Sequence, residues 1–113
     1  MPTQKYLCIQ RSVPGKKEPP TKAQMQEMMA SFNAWRQKFS AQIVDLGGKL
    51  ESGGKIVTAT GVSDGPFIEA KEIIGGYMII AADSFEQALE IARQSPGVLM
   101  PGSSVEVRKI ATS

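Results

Sequence analysis

The chain predicts an α+β fold: a ferredoxin-like antiparallel sheet with two helices on one face and an added hairpin. Three observations carry this. Apolar runs recur in the order strand, helix, two strands, strand, helix, strand. The run YMIIAA at 77–82 is apolar on both faces, as a central strand covered on both sides requires. A chain of 113 residues has room for one modest core, so its sheet needs those helices as a cover. Residues 1–113 are accordingly expected to form one domain.

QKYLCIQR, residues 4–11, reads as a first strand with apolar and aromatic side chains on both faces. Three prolines and a glycine then make residues 13–20 a loop, a segment that can also close over a pocket. Thr21 followed by Gln24 is a capping box, and a helix starts there. Met25, Met28, Met29, Phe32, Trp35, Phe39, Ile43 and Leu46 recur at helical spacing, which predicts a helix of about six turns ending at Gly47-Gly48. Its methionine-rich stripe is either a plastic binding surface or, as expected here, core packing.

KLES follows as a brief second strand, with Gly53-Gly54 turning into a third at about 55–60. Asp64-Gly65 is a turn signal, and 69–74 is a turn of helix or an irregular crossing. Gly75-Gly76 opens the strand YMIIAA. A second helix begins at Asp83 or Ser84, with Phe85, Ala88, Leu89 and Ala92 as its inner face, and Pro96-Gly97 stops it. In the last strand, SSVEVRKI, Val105 and Val107 point one way and Ser104, Glu106 and Arg108 the other. The first and fourth strands are apolar on both faces while two helices cover only one. The other face calls for a partner, and a second copy of the sheet is the simplest.

Composition removes several function classes. The chain has no histidine, which excludes histidine acid–base catalysis, Ser-His-Asp and Cys-His nucleophile systems, and histidine metal ligation. With a single cysteine, Cys8, neither a zinc site nor an internal disulfide is expected; its neighbours Leu7 and Ile9 make it a packed thiol. A net charge of +2, dispersed along the chain, does not point to nucleic acid. The longest apolar run is six residues, and 1–12 lacks the apolar stretch of a signal peptide, so a soluble cytoplasmic protein without a membrane partner is expected. The paired glycines match neither a Walker loop nor GxGxxG and read as turns.

The one dense ionisable stretch is DGPFIEAKEIIGG at 64–76. Asp64, Glu69, Lys71 and Glu72 are candidates for a shared cleft, where neighbours shift pKa values; the alternative gives Asp64 to the turn and leaves the rest as surface charge. Asp64-Gly65-Pro66-Phe67, followed by Glu69, Lys71-Glu72 and Gly75-Gly76-Tyr77, resembles the DGPF signature of the YCII-related domain family. Lys5-Tyr6-Leu7, Pro101-Gly102 and Val105-Glu106-Val107-Arg108 fit the same pattern, so the resemblance spans essentially the whole chain. It implies a dimeric α+β barrel, two sheets face to face, with a cleft near the motif. The broader family includes members with a proposed catalytic His–Asp pair, which a chain without histidine cannot carry.

The expectation is a homodimer that is non-catalytic or binds a small molecule. Asp64, Phe67, Lys71 and Glu72 are placed near the pocket, with Arg108 as a candidate charge for an anionic ligand. No cofactor and no metal are expected. Two alternatives stand beside this reading. One is an enzyme of lyase or isomerase type using the Asp64–Glu72 cluster, by analogy with the muconolactone isomerases that share the barrel. The other is a transcription-associated protein-interaction module, as DGPF-type relatives occur beside or fused to extracytoplasmic-function sigma factors.

Overall fold

The computed structural model describes residues 3–12, 20–51, 54–65, 73–98 and 102–112. Strand β1 (Gln4–Ser12) pairs antiparallel with β5 (Ile73–Ala82) on one side and with β6 (Ser103–Lys109) on the other. Strand β2 (Ile43–Lys49) adds to the free edge of β5, giving the order β2-β5-β1-β6. Helices α1 (Lys22–Lys38) and α2 (Phe85–Arg93) occupy the two crossovers. This is the ferredoxin-like plan. Its two central strands are the two whose side chains are apolar on both faces, as burial of a central pair demands.

Between β2 and β5 the chain inserts β3 (Gly54–Thr58) and β4 (Gly61–Gly65), a separate two-stranded hairpin. It turns at Ala59-Thr60, with Gly61 at φ 156°. Gly53, where a turn into this strand is expected, lies outside the described residues, and Asp64-Gly65 ends a strand opposite Lys55 and Gly54 instead of making a turn. Pairing fixes this register: Val57 opposite Val62 and Ile56 opposite Ser63 require Ala59-Thr60 at the tip.

Helix α1 begins as the capping box requires. The Thr21 hydroxyl accepts from the Gln24 backbone N–H (3.1 Å), and the Gln24 side chain accepts from the Thr21 N–H (2.9 Å). It ends at Lys38, well short of Leu46, because the N–H groups of Gln42 and Ile43 both return to the Phe39 carbonyl and close a turn. From Ile43 the chain becomes β2. The competing force is the exposed edge of β5, whose backbone groups need partners that a longer helix would not supply. Gly47-Gly48 is thus not a helix cap but an irregular stretch of strand. Gly47 takes φ 65° with its N–H on Asp45 Oδ1 (2.8 Å), and a Cβ there would stand 1.9 Å from the Tyr77 carbonyl oxygen. Strand β2 ends at Lys49, with one further bond from the Leu50 N–H to the Gly75 carbonyl (2.9 Å), so Lys49, expected to open a second strand, instead closes β2; Ser52 of KLES lies outside the described residues. Gly75-Gly76 lies inside β5 and does not open it.

Ser84 caps α2, its hydroxyl accepting from the Gln87 N–H (3.1 Å), while Gln87 Oε1 accepts from the Asp83 N–H. The buried side of α2 is Ala88, Ile91 and Ala92. Phe85 and Leu89, expected inside, are about half exposed; Phe85 stacks on Tyr6 at 5.8 Å. The core is small: Tyr6, Cys8, Ile80 and Ala82 from the sheet, the inner side of α2, and Trp35 from α1. Val105 and Val107 pack against it, as the alternation in β6 predicts.

Candidate functional site

Only Trp35 of α1 is buried. Its indole N–H donates to the Ile91 carbonyl (2.9 Å), tying α1 to α2 at one end. Toward its N-terminus α1 stands off the sheet, and Met25, Met28, Met29 and Phe32 are 40–66% exposed. The stripe assigned to core packing is therefore mostly not core. It forms one wall of a cleft of about 770 Å³ between α1 and the inner face of the sheet, within the usual size range of small-molecule sites. Three flexible methionines suit a wall that adapts to an occupant.

The opposite wall follows from strand register. Lys49 pairs with Gly76, Gly76 with Gln10, and Gln10 with Val105, so the four form one row across the sheet. Directly opposed residues point to the same face, here the face that α1 overhangs. Cys8 and Met78 form the next row toward the core. Gly76 leaves a gap in the polar row: a Cβ there would stand 3.1 Å from the Gly48 carbonyl oxygen and 3.7 Å from both Lys49 Cα and Gln10 Oε1. Gly97, from the short turn after α2, closes the other side of Gln10. Among the described residues that line the cleft, Lys49 is the one charged group, and neither it nor the Gln10 side chain has a hydrogen-bond or ionic partner. Burial pushes the Cys8 thiol up to about 11, so it is protonated at neutral pH and is no nucleophile. Among the described residues no group of metal-ligating side chains converges. The described lining offers an occupant apolar surface along α1 and a polar border around Gly76.

The other sheet face presents Leu7, Ile9, Tyr77 and Ile79 in adjacent rows, bordered on β6 by a charged network. Arg11 donates to Glu106 (2.8–2.9 Å), and Arg108 Nε approaches the other Glu106 oxygen at 2.5 Å. These bonds, Arg11 first, hold the Glu106 carboxyl below the usual carboxylate range.

Of the residues singled out from sequence, Arg108 thus lies on the sheet face away from the cleft, paired with Glu106. The Asp64 backbone is in β4 opposite Lys55. Phe67, Lys71 and Glu72 lie outside the described residues. Sequence reasoning passed over Lys49 and Gln10. The signal for Gln10 was present: it continues the inward alternation Tyr6, Cys8 with a polar side chain. Lys49 had none, because its face depends on the irregular register of β2.

Strand order, two helices over one sheet face and the cleft beneath α1 define a ferredoxin-like α+β domain. The chain belongs to the YCII-related domain family, whose profile matches residues 4–112. A search of curated proteins found no match. Among solved structures the chain is similar to the 5-chloro-2-hydroxyhydroquinone dehydrochlorinase of Burkholderia phenoliruptrix in complex with 2,5-dihydroxybenzoquinone. That likeness runs at 15% identity over 96% of this chain and 95% of the other, with a TM-score of 0.49. Among the described residues no helix is long and apolar enough to cross a membrane.

Proposed function

We propose that the protein is a homodimer that binds a small, largely apolar molecule in the cleft between α1 and the sheet, without catalysing its conversion. The observation that carries this reading is the methionine-rich wall of α1 held away from the sheet over a row containing Lys49, Gly76 and Gln10. A helix whose apolar stripe is left exposed is stabilised by whatever fills the space beneath it. The absence of histidine from the sequence and the protonated state of Cys8 leave the cleft's described lining without a general base at neutral pH. The dimer is supported by the second sheet face, where Leu7, Ile9, Tyr77 and Ile79 form an apolar stripe that neither helix covers. Sheets pack face to face at about 10 Å through such stripes.

Native mass spectrometry of gently purified protein tests both parts. A dimer that carries additional small-molecule mass, lost when Met28 and Phe32 are both replaced by serine, is the expected result. A monomer at micromolar concentration overturns the assembly. A dimer that takes up no apolar ligand from a millimolar panel overturns the binding role.

A further inference from the structure

We infer that the β3–β4 hairpin is a dimer arm: its Val57–Val62 pair docks on a second copy of this chain, and that copy's hairpin docks back in the same way. This rests on the homodimer proposed above and adds a surface to it.

Strands β3 and β4 pair with each other and, among the described residues, with no other strand. Every residue from 54 to 63 is exposed. A lone two-stranded hairpin is at best marginally stable in water and needs a third strand or a cover. Val57 and Val62 stand directly opposite, so their side chains leave from one face, and they are 75% and 62% exposed. Exposure at that level leaves the cover to another molecule.

Shape and area favour a second copy in that place. The molecule measures 45 × 43 × 18 Å, with a radius of gyration of 15.9 Å against about 13 Å for a compact domain of this length. Its thickness is that of one sheet with its helices. The hairpin, each strand roughly 17 Å long, therefore widens the layer instead of standing out of it. A copy packed on the broad apolar face of the sheet has the hairpin beside it. That face alone is too small for a stable dimer. Leu7, Ile9 and Ile79 are already largely buried and Tyr77 is 41% exposed, so the four offer no more than about 300 Å² against roughly 800 Å² per partner. Two-fold symmetry sets one hairpin on each copy and adds the missing area twice.

Sedimentation equilibrium and hydrogen exchange on the full chain test the arm. Val57→Ser/Val62→Ser is expected to raise the dimer dissociation constant at least about a hundredfold, since four valines leave the interface of each dimer. Leu89→Ser, at a half-exposed apolar position of α2, is expected to leave it unchanged. In the wild type the amides of 55–63 are expected to exchange at least about tenfold faster once dilution yields monomer. A wild-type dimer whose dissociation constant the double variant does not shift overturns the arm and leaves the homodimer standing. Exchange at 55–63 that is the same in dimer and monomer overturns the arm equally. A wild-type monomer at micromolar concentration overturns the homodimer and the arm together. If the double variant loses its native circular dichroism, the exchange comparison on the wild type decides alone.

Discussion

Replacing Trp35 with phenylalanine isolates the bond that joins the two helices. Near the end of α2 the Ile91 carbonyl has lost its regular donor four residues on, because the Ser95 N–H turns to the Ala92 carbonyl (3.0 Å). The Trp35 indole supplies the missing hydrogen at 2.9 Å from a side chain 4% exposed. Trp35→Phe keeps an aromatic ring in the core but leaves that buried carbonyl unsatisfied, which costs about 1–3 kcal/mol. The smaller ring adds a cavity term, so a total of about 2–3 kcal/mol follows. At about 2.1 cal/mol/K per residue, a domain of this length loses roughly 4 °C of Tm per kcal/mol, and a fall of about 8–12 °C is expected. Far-UV circular dichroism melts and urea titration of wild type and variant measure it, with the urea midpoint falling and the m-value unchanged. A Tm within about 2 °C of wild type would refute the reasoning. The indole bond would then not hold α1 to α2, and the cleft that depends on that hinge would lose its fixed wall.

Two further expectations follow from local geometry. Gly47→Ala forces a Cβ onto the Tyr77 carbonyl oxygen at φ 65° and should cost at least about 2 kcal/mol. Gly48→Ala, with nothing within 4 Å of its Cβ, should cost far less, and the two denaturation midpoints compare them directly. Cys8, raised by burial to about 11, should react with iodoacetamide at pH 8 far more slowly in the folded protein than in urea. Because folding favours the neutral thiol, its contribution to stability is complete below the ordinary thiol range and is lost as pH rises from there through about 11; a Cys8→Ala variant should show a flatter alkaline stability profile.

Much of the fold was legible in local sequence. The two strands apolar on both faces are the central pair, the alternation of β6 sends Val105 and Val107 to the core, and the capping box at Thr21 starts α1 where expected. These features depend on side-chain period and on bonds within a few residues, which the chain carries in its order. The candidate site was less legible. The methionine stripe was visible as a choice between core and binding wall, and only the stance of α1 off the sheet decided it.

What the sequence determines by itself, then, is class, central strands, helix starts and the exclusion of histidine chemistry. Tertiary structure decides where α1 gives way to β2 and which residues the cleft brings together. Ile43 and Leu46 keep helical spacing, yet the open edge of β5 recruits them, since hydrogen bonds to a strand distant in sequence outweigh a local preference that differs by less than about 1 kcal/mol per residue. That pairing, with Gly47 bent to φ 65°, turns Lys49 toward Gly76 and Gln10. Three residues far apart in the chain share one row only because two irregularities in β2 set its register.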